Sequence, residues 1–230
     1  EMLRSLVGSE MCIRDRAISV LVEGMLVSLK VAGTALVVGL IWGTVLAMMR
    51  LSRFRVLSLF SAAYVNFFRS MPLAMVLLGF YLVVPQLLKS LFWVPQTMDT
   101  RMLSALIGFA LFESAYYAEI MRAGIQSIPK GQLAVSYALG MRPMQAMRLV
   151  ILPQAFRNML PLLLMQLIIL FQDTSLVYII SLADFFTSAE GIGERDGRIE
   201  EMMLVAGATY FIICFTASML VKRLSGAKKS

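Results

Sequence analysis

Three apolar segments of this chain contain polar or ionisable side chains, which are costly in a membrane unless they face protein, water or a solute. Arg69 lies in the apolar region Val56–Val84 and Glu113 lies in the region Met102–Met121. Arg69 either pairs with an interior carboxylate, for which Glu113 is the candidate, or contacts an anionic substrate. A third segment is interrupted by four consecutive polar residues, which either line a transport pathway or mark a surface break between a span and an outer helix: Gln172, Asp173, Thr174 and Ser175.

Motifs for other kinds of chemistry are missing from the sequence. It has no GxxxxGK[ST] phosphate loop, so we expect this chain neither to bind nor to hydrolyse ATP. It has no GxSxG or HExxH motif and no histidine, and Cys12 and Cys214 are too few and too far apart to predict a disulfide or metal framework. We therefore expect no catalysis, metal or cofactor in this chain, and any transport must draw its energy from a partner or an ion gradient.

The composition predicts an all-α integral membrane protein. Hydrophobic residues make up 59% of the 230 residues and charged residues only 15%, whereas soluble chains average about 25% charged. Several apolar runs reach the roughly 20 residues that a helix needs to cross a bilayer. Five spans are predicted, and the fourth is too long for a single span and contains Pro161, which predicts a kink. The apolar regions are Ala17–Met49, Val56–Val84, Met102–Met121, Gln154–Phe186 and Met202–Val221.

The net charge of +7 is distributed unevenly along the chain. The two intervening loops, Pro85–Arg101 and Ala183–Glu201, together hold seven acids against four cations. Cation-rich loops alternating with such loops are the positive-inside pattern. It predicts an N-terminus outside the cytoplasm, a C-terminus inside it and no basic face suited to nucleic acid. The cations that predict the cytoplasmic side are Arg50, Arg53 and Arg55; then Arg122, Lys130, Arg142, Arg148 and Arg157; then Lys222, Arg223, Lys228 and Lys229.

Three further patterns concern organisation. Residues 1–16 include LVGSEMCIRDR, which lacks the apolar region and cleavage site of a signal peptide, so we interpret 1–16 as a non-native stretch and 17–230 as the transmembrane domain. In the first span, small residues recur every fourth position and predict a closely packed helix neighbour: Ala35, Gly39, Gly43 and Ala47. In the acidic outer loop, three glycines are expected to interrupt any long helix: Gly191, Gly193 and Gly197.

The longest polar, basic interruption between two apolar segments is the loop of residues 126–153. Pro129 can open a short helix and Gly140 can end it. Pro143 can open a second short helix, and Pro153 begins the next segment. We expect two short helices with a bend at Gly140, lying outside the bilayer and presenting apolar side chains either to solvent, as an ordinary loop does, or to a partner.

This loop resembles the EAA loop of bacterial ABC-importer permeases. The resemblance rests on Ala134-Val135-Ser136-Tyr137-Ala138-Leu139-Gly140, nine residues, and then Val150-Ile151-Leu152-Pro153. It implies a MetI-like core whose cytoplasmic coupling helix docks into a groove on an ATPase subunit. The residues implied in this contact are Ala134, Val135, Ser136, Leu139, Gly140 and Met141. The chain departs from the family at the front of the motif, where Ala134 replaces a glutamate.

Further segments resemble the polar amino-acid branch of that family, closest to permease subunits of glutamate/aspartate importers. They include Phe68-Arg69-Ser70-Met71-Pro72, residues 118–128, Leu152–Arg157 and Phe171–Leu176. The resemblance implies a multi-pass protein of the bacterial inner membrane, a second permease, identical or homologous, a pair of ATPase subunits that hold ATP and magnesium, and a periplasmic amino-acid-binding protein. Arg69 at membrane depth favours acidic amino acids. The alternatives are glutamine or basic amino acids, or an ion-coupled secondary transporter using Glu113 and Asp173.

Overall fold

The computed structural model describes residues 2–92 and 99–226, with the side chains of residues 17–91 and 99–223. Some predictions concern parts that lie outside these residues. They are the middle of the predicted outer loop at 93–98, the cations Lys228 and Lys229, and the side chains of residues 1–16, which the sequence analysis interprets as non-native. The helices are α1 (Met2–Arg50), α2 (Arg55–Arg69), α3 (Leu73–Phe92), α4 (Arg101–Gln126), α5 (Lys130–Ala138), α6 (Pro143–Ala146), α7 (Leu152–Asp173), α8 (Phe185–Asp196) and α9 (Ile199–Gly226).

Within the described part, five helical segments are long and apolar enough to cross a membrane, which confirms the predicted number. The second span starts later than the apolar region Val56–Val84 suggested. Helix α2 ends at Arg69, and at 1.5 Å per residue its 15 residues are too short to span the roughly 30 Å of hydrocarbon. The five segments are Ala17–Arg50, Leu73–Leu91, Arg101–Gln126, Pro143–Ile180 and Ile199–Arg223.

Two predicted loops contain helix instead. Helix α3 continues past Pro85 to Phe92, because an apolar helix tolerates a proline when neighbours satisfy the freed backbone groups. Helix α8 occupies most of the predicted acidic loop, and Gly193 lies inside it. A side chain at Gly193 would meet the backbone of Ile199 at 2.8 Å, so this glycine permits close helix packing rather than a break. Only Gly197, with φ of 66°, ends the helix as predicted.

Helix α4 lies at the centre of the bundle. Its side chains form the core with those of α1, α2 and α3, including Val31, Val65, Leu77 and Phe109. The most extensive helix contact is between α1 and α4, where the predicted small-residue ridge is buried. A methyl group added at Gly43 would lie 2.9 Å from the Ser114 carbonyl oxygen, so the two backbones are nearly in contact. The predicted helix neighbour of the ridge is therefore α4.

The long fourth span begins outside the predicted apolar region. Helix α6 passes through a π-helical turn, Met147–Ile151, directly into α7. The Leu152 amide donates to the Met147 carbonyl five residues back, and Pro153 has no amide hydrogen with which to continue an α-helical ladder. The α-helix ends at Asp173, and a 3-10 helix, Thr174–Ile180, follows. The predicted break at the polar run is therefore present, while Pro153 does not start a separate helix.

Asp184, the N-cap of α8, joins helices at one end of the bundle. Its carboxylate accepts hydrogen bonds from the amides of Phe186 and Thr187, at 3.2 and 2.9 Å. Ser28 of α1 donates to the same carboxylate at 3.4 Å. Burial raises the pKa of Asp184, while these hydrogen bonds lower it in part. One fully buried carboxylate thus connects α1 to the start of α8.

Candidate functional site

The loop of residues 126–153 has the two short helices and the bend that the sequence predicts. Gly140 adopts φ of 77°, a left-handed conformation that side chains disfavour. Its amide donates to the Tyr137 carbonyl at 3.0 Å, and the Met141 amide donates to the Ser136 carbonyl at 3.1 Å. These two bonds form a Schellman motif, which satisfies the last carbonyls of α5. The glycine therefore fixes the angle between α5 and α6.

The exposed face of this loop is largely apolar. Val135 is 59% exposed, Leu139 73% and Met144 76%, and Tyr137 is also exposed. Of the six residues proposed for coupling, Ala134, Val135, Leu139 and Gly140 are exposed, and Met141 is half-buried. Ser136 is only 2% exposed, and its hydroxyl donates to the Gln132 carbonyl at 2.7 Å. A partner can therefore reach all of these residues except Ser136, which instead supports the turn from inside.

The base of the loop is braced by the helices on either side. Asn158 of α7 donates to the Ser127 hydroxyl at 3.0 Å. Met159 packs against Gly124, where an added methyl group would lie 3.0 Å from the methionine Cβ. Ile128 is buried in the same apolar cluster. Because both ends of the loop are attached to α4 and α7, a displacement of α5 would be transmitted to these two spans.

A second contact between helices, an ion-pair network around Glu119, lies where the end of α1 meets α4. Arg122 donates to the Glu119 carboxylate through Nε at 3.0 Å and also through Nη2. Arg50, the last residue of α1, forms an ion pair with the same carboxylate, with Nη1 3.7 Å from Oε2, the oxygen that also accepts from Arg122 Nε. Glu119 therefore joins α4 to α1 through Arg50, while its contact with Arg122 lies within α4. The sequence did not specify this network.

The buried carboxylate Glu113 has a different partner from the one expected. Its side chain is fully buried on α4, and Gln166 of α7 donates to it from Nε2, at 3.1 Å to Oε2 and 3.3 Å to Oε1. Within the described residues no ion pair joins Arg69 to Glu113, so that pairing prediction is wrong. Gln166 was not singled out, since a lone amide in an apolar run gives no local signal of its partner.

Arg69 is the last residue of α2 and its side chain is exposed. The guanidinium carbon lies 5.5 Å from the centroid of the Tyr116 ring, which is a cation–π distance. No carboxylate among the described residues lies within ion-pair distance of Arg69. Since Tyr116 belongs to α4, this contact places an uncompensated cation beside the central helix.

The polar run of the fourth span does not form one binding site. Thr174 is fully buried, and its hydroxyl donates to the Phe171 carbonyl at 2.7 Å. The Ser175 hydroxyl donates to the Gln172 carbonyl at 2.9 Å. The side chain of Gln172 instead lines a cleft of about 360 Å³ between α7 and α9. Asp173 is partly buried, with no ion-pair partner among the described residues. Asp173 is thus the only ionisable side chain in this run.

Within the described residues, no group of three or more histidine, cysteine, aspartate or glutamate side chains could hold a metal ion. The described residues thus form an apolar helix bundle with an exposed apolar loop and a few polar side chains inside the bundle.

Comparison with known proteins relates this arrangement to transport. Residues 35–229 match the family model of the binding-protein-dependent transport system inner membrane component. The glutamate/aspartate import permease protein GltK of Escherichia coli O6:H1 is 56% identical over 204 residues, covering 89% of this chain and 91% of the relative. The arginine transport system permease protein ArtQ of Bacillus subtilis is 32% identical over 210 residues, covering 91% of this chain and 93% of that protein.

Solved structures share the architecture. A crystal structure of an amino acid ABC transporter with histidines superposes with a TM-score of 0.82 at 29% identity, covering 93% of this chain and 96% of that chain. The MetNI methionine ABC transporter in an inward-facing conformation has a TM-score of 0.68 at 18% identity, covering 90% of this chain and 96% of that chain, and shows the shared fold.

Proposed function

The chain belongs to the family of binding-protein-dependent transport system inner membrane components, and from this membership we propose that it is a permease subunit of an ATP-driven importer for glutamate and aspartate. The observation that carries the substrate class is the 56% identity to a glutamate/aspartate import permease over 89% of this chain. The chain is a multi-pass protein of the inner membrane, and like its relatives it is a transport subunit rather than an enzyme.

Partners of three kinds complete the importer. A pair of ATPase subunits holds ATP and magnesium and binds the loop around Gly140. A second permease, identical or homologous, lines the path with this chain, and a periplasmic protein delivers the amino acid. The cation-rich loops support a cytoplasmic side for α5 and the C-terminus and a periplasmic side for the N-terminus. When the ATPases close on ATP, α5 moves with them, and its bracing to α4 and α7 turns that movement into a rearrangement of the spans.

Arg69 is the residue that favours an anionic substrate. Its side chain is exposed, Tyr116 holds it by a cation–π contact, and no described carboxylate neutralises it. A guanidinium in this state can bind a carboxylate of glutamate or aspartate by paired hydrogen bonds. Asp173, Gln172, Thr174, Ser175 and Glu113 complete the proposed substrate pathway. Two of them contribute indirectly, since Thr174 and Glu113 are fully buried.

The test is ATPase activity of the complex reconstituted with its binding protein, measured with glutamate, aspartate, glutamine and arginine in turn. Stimulation by the two acidic amino acids supports the proposal. Stimulation by glutamine or arginine without glutamate contradicts the acidic assignment but leaves the importer class intact. Arg69→Gln, which keeps a polar side chain without the charge, is expected to raise the glutamate concentration needed for half-maximal stimulation.

A transporter of a different class is motivated by the carboxylates at membrane depth, Glu113 and Asp173. An ion-coupled carrier would move substrate in liposomes under an ion gradient, without ATP and without partners. Purified chain that transports in this way would overturn the importer proposal.

The 32% identity to an arginine permease keeps basic amino acids as the alternative substrates within the importer class.

A further inference from the structure

The loop carries four exposed large apolar side chains, here called the docking surface: Val135, Tyr137, Leu139 and Met144. All four are at least 47% exposed. They project from two short helices whose angle is fixed by the Schellman motif at Gly140. Large apolar side chains clustered on a polar loop mark an interaction site. The fixed geometry suits a shaped groove, since a lipid surface requires no particular angle between the two helices.

The charges around the docking surface are all positive. Lys130 begins α5 and Arg142 precedes α6, and both are exposed, as is Arg148 in the π-helical turn. Within the described part of the chain, none of the three lies within ion-pair distance of a carboxylate. The sequence contains no aspartate or glutamate between Glu119 and Asp173. The loop therefore presents apolar side chains between uncompensated cations.

Position 134 adds no acid to this surface. Ala134 is exposed on α5, at the position where the resemblance implies a glutamate. With alanine there, the docking surface has no acid to offer a basic groove. Charges at the rim of an interface act by complementarity, because like charges weaken binding and opposite charges speed association.

We propose that the groove receiving this loop, on the ATPase subunit, has an apolar floor and an acidic rim. This inference rests on the proposed function and adds the chemistry of the partner surface. Complementary charge at the rim also selects between partners. The groove would therefore accept this loop and disfavour a loop that carries glutamate at position 134.

The experiment compares three substitutions at one exposed site: Ala134→Glu, Ala134→Lys and the neutral control Ala134→Gln. All three introduce long side chains that are good helix formers, so they differ mainly in charge. The solubilised permease complex, reassembled in nanodiscs of neutral lipid, is titrated with the ATPase subunit that co-purifies with the wild-type chain. Titrations are made at about 50 mM and about 500 mM salt, because salt screens rim charges.

We expect Ala134→Glu to bind the ATPase about fivefold more weakly than Ala134→Gln at low salt, with Ala134→Lys at least as tight as the control. The difference should shrink at high salt. Tighter binding by Ala134→Glu would mean a basic rim and overturn the inference while leaving the importer intact. Charge dependence that appears only with anionic lipid in the nanodisc would assign the cations to the membrane and also overturn it. If no ATPase binds the wild-type chain, the proposed function itself fails.

Discussion

Replacing Gly43 by alanine tests whether the contact between α1 and α4 limits the stability of the bundle. The new methyl carbon would lie 2.9 Å from the Ser114 carbonyl oxygen, 2.9 Å from the Tyr117 Cβ and 3.0 Å from the Ala118 amide nitrogen. Favourable contacts between carbon atoms are about 3.5–4.0 Å, so the helices must separate by about 0.5–1 Å. Two of the three obstructing atoms belong to backbone, which no change of rotamer can move.

The matched control is Gly33→Ala in the same helix, since a methyl group there meets nothing within 4 Å. Both substitutions gain the same helix propensity, up to about 1 kcal/mol, so the difference between the variants isolates the packing term. Overpacking of this kind costs about 1–3 kcal/mol. For a chain of this length, 1 kcal/mol corresponds to about 2–4 °C, which predicts a melting temperature roughly 2–12 °C lower for Gly43→Ala than for Gly33→Ala.

The assay is thermal unfolding of the purified protein in detergent, followed by the amount that remains monodisperse after heating. A lower melting temperature for Gly43→Ala than for Gly33→Ala supports the close contact. Equal melting temperatures would refute the reasoning, because they would show that α1 and α4 can separate at no cost.

Substitutions at three other positions address the remaining polar and turn residues. Glu113→Ala leaves the Gln166 amide without its partner and should lower the free energy of unfolding by about 1–3 kcal/mol. Glu113→Gln should melt close to wild type. Equal melting temperatures of the two variants would contradict a structural role for Glu113. Aspartate at position 140 tolerates the left-handed turn, but Gly140→Asp puts a charge beside the apolar docking surface. We therefore expect normal membrane insertion with loss of uptake. Unchanged uptake would show that the loop does not couple the ATPase to transport. Asp184→Ala removes the cap of α8 and should lower the free energy of unfolding by about 0.5–2 kcal/mol, and Asp184→Asn should lower it less. A lower melting temperature for Asp184→Asn than for Asp184→Ala would contradict the capping role.

The sequence predicted those features of the fold that depend on a single residue or on hydropathy averaged over a long segment. The number of spans followed from hydropathy, and the bend at Gly140 followed from a glycine at the end of a short amphipathic pattern. The helix of the acidic outer region was missed, since Gly193 has the same local signature whether it breaks a helix or permits close packing. The partner of Glu113 could not be found either, because Gln166 lies 53 residues away and only the crossing of α4 and α7 brings them together.

The π-helical turn Met147–Ile151 takes up one extra residue between the docking surface and the span that follows it. Buried side chains recur four, four and four residues apart from Ile151 through Ala155 and Met159 to Leu163, but the step back from Ile151 to Ala146 is five residues. A π-helical turn takes in one residue more than an α-helical turn, so Ala146 and Ile151 stay on the same buried face across the five-residue step. Deleting Leu149 would leave a four-residue step, and a continuous α-helix would then carry the docking loop on the same side of the span.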